Sequence, residues 1–440
     1  MIRLKFFLAA FIALGLSGFS QGADNEPPAG FVALFNGKDL AGWHGYETKD
    51  PRKFQEMSAE DQQAAREKSL EDIKKHWTIQ GADLVNDGNG LYLTTDKNYG
   101  DYELWIDYKT VPKADSGIYL KGVPQVQIWD FTDPSKFGLG ADKGSGGLWN
   151  NSAGKPGKDP LVLADKPLGE WNRFHIIQIG ARTTVYLNDK LVVNNAILEN
   201  YFDRSQPLLP RGPIQLQTHG GEIRWKNIFV REIPLEEATA KLQAAADKEG
   251  FKSLFNGTDL TGWAGAADNY EVVDGAIRCK AGKGGVLHTK DEYSDFVVRL
   301  EFKVPPGGNN GLAIRYPGQG DTAYVGMCEL QVLDNEAPQY AKLDKRQYHG
   351  SAYGMAAAAR GYQRPAGQWN YQEVTVKGST ITVELNGSII LNTDLSKITE
   401  YMANSPHPGK DRTQGFFGFA GHGDAVSFRN VQIKALEAAK

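Results

Sequence analysis

LFNGKDLAGW at residues 34–43 returns as LFNGTDLTGW at residues 254–263, with eight of ten letters unchanged and an offset of 220. The segments that follow each stretch also pair in order. GDYELWIDYKTVPKADSGIYLK (100–121) answers to SDFVVRLEFKVPPGGNNGLAIR (294–315), and VQIWD (126–130) to LQVLD (330–334). GEWN (169–172) answers to GQWN (367–370), and IQLQTHGGEIRWKNIFV (214–230) to FGFAGHGDAVSFRNVQI (417–433). A whole domain is therefore written twice. Each copy, at about two hundred residues, is far longer than a solenoid or propeller unit and is expected to own its core. A chain of 440 residues also exceeds what one hydrophobic core ordinarily serves.

Within each copy, apolar and polar letters alternate over short runs broken by Gly, Asn, Asp and Pro, the period of half-buried strands. VYLNDKLVV and VELNGSIIL read as hairpins, because Asn-Asp and Asn-Gly tolerate the positive φ of a type I′ turn. The expected fold is all-β, with two tandem jelly-roll sandwiches at 24–233 and 251–436. Two segments depart from it. Residues 56–77 are rich in helix formers behind a capping-box-like start at Ser58, which predicts a helical insertion in the first copy. Residues 234–250 predict a short helical linker.

The first 23 residues carry Arg3 and Lys5 ahead of an apolar run and then small residues, the pattern of a signal peptide cut near Ala23. Export to the periplasm or the outside is the expectation. Removing the peptide takes the formal charge from −4 to −6 and leaves no basic block, so nucleic acid is not an expected partner. No later run is long enough to span a bilayer. Cys279 and Cys328 fall in strand-like runs and read as free thiols, although an exported chain could pair them.

The repeated segments LFNGKDLAGW, GDYEL, SGIYLK, VQIWD, GEWN and the closing HG before a strand resemble the 3-keto-disaccharide hydrolase domain family. Both copies carry them, so the resemblance covers nearly all of the chain after the signal peptide. It implies a concanavalin- or laminin-G-type jelly roll with carbohydrate in a groove on one sheet. It also implies activity on glycosides oxidised to a ketone at sugar C3. Function still has to be argued from the site.

In PQVQIWD, Val126 and Ile128 fall on one face of a strand, while Gln125, Gln127 and Trp129 fall on the other. The second copy sets Cys328, Leu330 and Val332 against Glu329, Gln331 and Leu333. Long amide and acid side chains beside an aromatic suit hydroxyl binding; without the family's groove the same pattern reads as a solvated strand face. Tyr119 and Lys121 share the polar side of SGIYLK, and Arg315 takes the place of Lys121. Such cations could polarise a ketone, though a surface Lys or Arg ordinarily counts for little. Asp130 and Asp334 end their strands at opposite parity and read by themselves as turn residues. His219 and His422 match each other before glycines, whereas His349 has no counterpart. Trp149 and Tyr353, in loop segments, together with His422 complete the expected sugar-binding set, and Trp171 and Trp369 read as core aromatics.

A retaining glycosidase needs two carboxyls about 5–5.5 Å apart. Glutamines hold those places in the first copy, and Glu329 and Asp334 in the second would lie roughly 16 Å apart along a strand. A C3 ketone removes the need for the pair, because it acidifies the C2 hydrogen and lets the C1 substituent leave by β-elimination, with water adding later. The chemistry is expected in the second copy, with His349 as base, Glu329 and Asp334 beside it and Arg315 at the enolate. The first copy offers Asp130, His219 and Lys121. The competing expectations are a tandem carbohydrate-binding protein without turnover and a purely structural adhesion module. No HExxH, CxxC or P-loop spacing is present. No cofactor is expected, while loop carbonyl and Asp oxygens leave room for a divalent cation such as Ca²⁺. The expected partner is a glycoside or oligosaccharide.

Overall fold

The computed structural model describes residues 24–437, so the expected signal peptide lies outside the described residues. The repeated decapeptide folds the same way in both copies, as a polar loop stapled to an aromatic anchor. The Asn36 side-chain oxygen accepts from the backbone of Lys38 and Asp39, and Asn36 Nδ2 donates to Asp39 Oδ1. The Trp43 indole then donates to the Leu34 carbonyl at 2.6 Å. Asn256, Asp259 and Trp263 repeat these bonds, with Trp263 donating to Leu254 at 2.8 Å. Both tryptophans are buried, as are Phe35 and Phe255, so each loop is held to the core from two sides.

Each copy is a two-layer antiparallel sandwich. In the first, an eight-stranded sheet runs in the order Lys190–Ile197, Arg182–Leu187, Asn172–Ile179, Tyr102–Thr110, Ile223–Glu232, Asp83–Asn86, Trp77–Gln80, with Val32–Ala33 added beside Ile223–Glu232. Its five-stranded partner is ordered Trp43–Tyr46, Tyr92–Thr95, Gln215–Leu216, Asp115–Leu120, Val123–Trp129. The second copy has the same strand order in both sheets. The two hydrophobic cores are separate, one confined to residues 35–230 and the other to 255–433. The predicted hairpins form, with Asn188, Asp189, Asn386 and Gly387 all at positive φ.

The helical insertion is two helices, α1 (Pro51–Gln55) and α2 (Ala59–His76), the second capped by Ser58, which accepts from Asp61 N. The later segment forms α3 (Leu235–Ala245), and it is more than a tether. Ala238 and Leu242 of α3 pack with Ile179 and Ile233 of the first copy and Tyr371 of the second. Two hairpin turns also meet. Ala181 N donates to the Gly387 carbonyl, and a Cβ at Gly180 would fall 2.4 Å from the Asn386 carbonyl oxygen, so only glycine fits. Arg182 grips Glu384 with two hydrogen bonds of 2.8 and 2.6 Å. Both cysteines are buried free thiols, and among the described residues no helix is long and apolar enough to cross a membrane.

Trp171 and Trp369 are not core residues. Both are half-buried on the outer face of the larger sheet, Trp171 beneath Lys109 and Lys226 and Trp369 beneath Lys303 and Arg429. Cations over indole faces gain from the ring quadrupole.

Separate cores and a small shared seam set an expectation for the halves. Residues 24–233 and 251–436, produced separately, should each melt in one cooperative transition. In the full chain, Leu242→Ala should cost about 2–3 kcal/mol at the seam, within the range for truncating a buried leucine. Scanning calorimetry reads both; halves that fail to melt cooperatively would mean the sandwiches depend on each other.

Candidate functional site

The outer face of each five-stranded sheet carries a groove. In the first copy it is a cavity of about 270 Å³ lined by Tyr92, Asp115, Tyr119, Gln125, Gln127, Trp129, Lys136, Trp149 and His219, among others. In the second it is about 350 Å³ and includes Asn309, Asp321, Tyr324, Glu329, Gln331, Tyr340, Tyr353 and His422. Both lie near the low end of small-ligand sites. The strand alternation accounts for the floor. Val126, Ile128, Leu330 and Val332 are sealed between the sheets, while the residues between them reach the groove.

The first groove centres on Asp115. Its Oδ1 accepts from Gln127 Nε2 at 2.8 Å, and Gln127 in turn accepts from Gln125. Its Oδ2 lies 3.1 Å from His219 Nδ1 and 3.3 Å from Lys136 Nζ. The hydrogen bond that His219 donates to Asp115 raises the His219 pKa above its ordinary 6.5, while burial and the charge of Lys136 work against that rise. Trp129 and Trp149 meet edge to face at 5.9 Å, as do Tyr92 and Tyr119 at 5.4 Å, and the Thr48 hydroxyl bridges the two tyrosines.

In the second groove the carboxylate has moved to another strand. Register makes the grooves comparable, because Gly117 faces Gln127 as Gly311 faces Gln331, and Asp115 faces Trp129 as Asn309 faces Leu333. Asp115 is thus replaced by Asn309, and Gln125 by Glu329. Glu329 accepts from Thr322 at the start of the short helix α4 (Thr322–Val325), and its other oxygen lies 3.4 Å from His422 Nε2. That bond raises the His422 pKa. Gln331 donates to Asn309 at 2.6 Å, and Gln347 to the Tyr353 hydroxyl at 3.0 Å. Each groove therefore holds one histidine paired to one carboxylate, through Nδ1 in the first and Nε2 in the second.

Several expected site residues lie elsewhere. Lys121 and Arg315 do not reach the groove: each sits at positive φ, which breaks the alternation and turns its side chain inward. Lys121 is fully buried and donates to the Gly180 carbonyl at 2.8 Å, and burial pushes its pKa down to about 8. Arg315 donates to the carbonyls of Ser294, Gly378 and Arg412 and to Asp295. Asp130 and Asp334 are turn residues. Asp130 accepts from Lys113 N and Thr132, and Asp334 from Gly307 N and Glu336 N. His349 is a core residue stacked on Phe302 at 4.6 Å, with Nε2 2.9 Å from Gln372 Oε1. It is too enclosed to meet a substrate.

Sequence reasoning missed Asp115, Lys136, Asn309, Asp321, Thr322 and Tyr340. Asp115 was recoverable, since it stands two residues before Gly117 on the strand already identified. Lys136 comes from a loop, where no period applies. Among the described residues no cluster of three or more His, Cys, Asp or Glu side chains is placed to hold a metal.

The family profile described as 3-keto-alpha-glucoside-1,2-lyase-like domain matches residues 30–231 and again 250–434. A curated 3-keto-disaccharide hydrolase of Bacteroides thetaiotaomicron is 28% identical over 239 residues, covering 44% of this chain and 82% of the relative. Two solved structures from Parabacteroides distasonis, described as candidate glycosyl hydrolases, are 27% and 24% identical. They cover 42% and 47% of this chain and 99% of their own, each with a TM-score of 0.39.

The burial of His349 has a consequence for stability. Burial pushes its pKa down from 6.5 to about 4. Its folded value lies below its unfolded one, so its contribution is fully present above pH 6.5 and is lost as pH falls towards 4, on the order of 3 kcal/mol in all. His349→Gln should lose less stability than the parent between pH 7 and pH 4.5 in urea titrations. Equal losses in the two proteins would mean that His349 titrates normally.

Proposed function

The chain belongs to the 3-keto-alpha-glucoside-1,2-lyase-like domain family in two tandem copies, and from that membership we propose that the protein cleaves 3-keto-glycosides, 3-keto-disaccharides among them. The observation that carries the reading is the paired histidine in each groove, His219 on Asp115 and His422 on Glu329, above a floor of amides and aromatic walls. Such a groove can hold a sugar by its hydroxyls and stack its ring. The first groove contains a single carboxylate among its lining residues, which leaves no pair for a conventional glycosidase there.

In this reading a neutral histidine takes the C2 proton, made acidic by the adjacent ketone. The C2 electron pair moves into the enolate and then expels the C1 oxygen, which collects a proton. Addition of water to the resulting enone gives net hydrolysis. The sequence is redox-neutral and asks for no cofactor. With export as the N-terminal pattern suggests, the work would be done outside the cytoplasm.

The test is incubation of residues 24–440 with a 3-keto-disaccharide and with its parent disaccharide. Only the ketone should release sugar or enone, and deuterium at C2 should slow the reaction. Replacing both His219 and His422 by Ala should lower turnover by about 10² or more, the scale of a lost general base. Because a neutral imidazole is the base and both pKa values are raised, kcat/KM should climb with pH through a midpoint above 6.5. Saturable binding with no product would instead make this a carbohydrate-binding protein.

A further inference from the structure

The proposed elimination also needs something to stabilise the enolate oxygen, and the two cations expected for it are buried away from both grooves. We infer that Lys136 is the catalytic cation of the first groove, and that elimination therefore belongs to the first copy. This inference rests on the keto-glycoside reading above.

Lys136 Nζ and His219 Nδ1 approach the same oxygen, Asp115 Oδ2, at 3.3 and 3.1 Å. The ammonium and the imidazole are thus held together by one carboxylate, no farther apart than those two contacts end to end. The reaction has the same layout. The C2 hydrogen and the C3 oxygen sit on adjacent carbons of one ring, so a base and a cation fixed side by side can address both at once. Lys136 is partly exposed and lines the cavity, which leaves its remaining donors open to a ligand oxygen.

The steps balance without another reagent. The C2–H bond breaks and the proton passes to His219, leaving an imidazolium. The bonding pair forms C2=C3, and the C3 oxygen becomes an enolate facing the ammonium. As that oxygen re-forms its carbonyl, the pair shifts to C1=C2 and the C1–O bond breaks. The departing oxygen takes the proton back from His219, giving an alcohol and an enone.

The second groove lacks the partner for this step. Tyr340 follows Pro338 and Asp334 as Lys136 follows Pro134 and Asp130, so a phenol stands where the first copy has an ammonium. Its hydroxyl donates to the Gly307 carbonyl at 3.0 Å. Among the described residues, His422 is the one basic side chain that lines that groove, and Asp321 and Glu329 make it acidic.

The experiment separates enolisation from cleavage. 1,5-Anhydro-3-keto-glucitol has a C2 hydrogen beside the ketone and no exocyclic leaving group at C1, so its exchange of that hydrogen in D₂O, followed by NMR, reads proton abstraction without glycoside cleavage. It is measured with residues 24–440, and then with Lys136→Gln or Lys136→Arg introduced. Lys136→Gln should lower the plateau exchange rate by about 10² or more, with probe affinity within about threefold, and Lys136→Arg should recover part of the loss. A Lys136→Gln protein that keeps its plateau and only moves its pH midpoint upward would show that the lysine merely tunes His219, and the inference would fall. It would fall too if His422→Ala abolished exchange while His219→Ala did not, although the keto-glycoside reading would survive. Binding of the probe with no exchange and no cleavage of a 3-keto-disaccharide by the unsubstituted protein would overturn both.

Discussion

The two-residue period of the strands Val123–Trp129 and Cys328–Leu333 ties each groove to its core. Val126 and Ile128 are held between the sheets with no exposed surface, and burial of such side chains stabilises a fold by about 1.5–3 kcal/mol each. Gln125, Gln127 and Trp129 are their immediate neighbours on the same backbone. A slip of one residue would send the amides into the core and the aliphatics into the groove. The floor of the groove is therefore placed with the precision of core packing, and Gln125, Gln127 and Trp129 need no loop to set the face on which they emerge.

Where that alternation is broken, the break has a structural use. Lys121 and Arg315 occupy equivalent positions at the ends of their strands, each with positive φ, and each reaches across to a hairpin turn of the larger sheet at Gly180 or Gly378. A buried charge is costly unless it is hydrogen-bonded, and here carbonyl oxygens receive the donors. Arg315 gains Asp295 as well. The Gly180 turn lies beside the seam between the copies, where it meets Asn386 and Gly387, so Lys121 braces the first sandwich close to where the two are joined.

Duplication preserved the sandwich and relaxed the site. Both copies keep the same sheet order, the stapled decapeptide, the inward aliphatics and a groove histidine. The carboxylate partner differs, being Asp115 on the strand Asp115–Leu120 in one copy and Glu329 on the strand Cys328–Leu333 in the other. Either strand can present an acid to the histidine because they are adjacent in the sheet. In the first groove, where Asp115 is the one lining carboxylate, no mutual repulsion arises of the kind that pushes up the pKa of a close pair. The grooves are thus two solutions on one frame, as expected where function resides in the site and not in the fold.

Much of the frame was legible in the sequence because it follows from local rules. The repeat marked two domains, the period of two marked which side of Val123–Trp129 is core, Asn-Asp and Asn-Gly marked the hairpins, and Ser58 marked the start of a helix. The site was legible only in part, through the glutamines, Trp129 and the matched histidines. Its assembly depends on contacts between distant parts of the chain. Asp115 meets His219 only because the strand Gln215–Leu216 pairs with Asp115–Leu120, and Lys136 joins them from a loop that carries no period. Local alternation misplaced Lys121 and Arg315, since a single residue at positive φ reverses the face on which the side chain emerges, and it left His349 looking available as a base. Which face a strand side chain takes is a property of its immediate backbone. Which side chains then meet is settled by strand pairing and burial across the folded sandwich, and only the tertiary structure decides that.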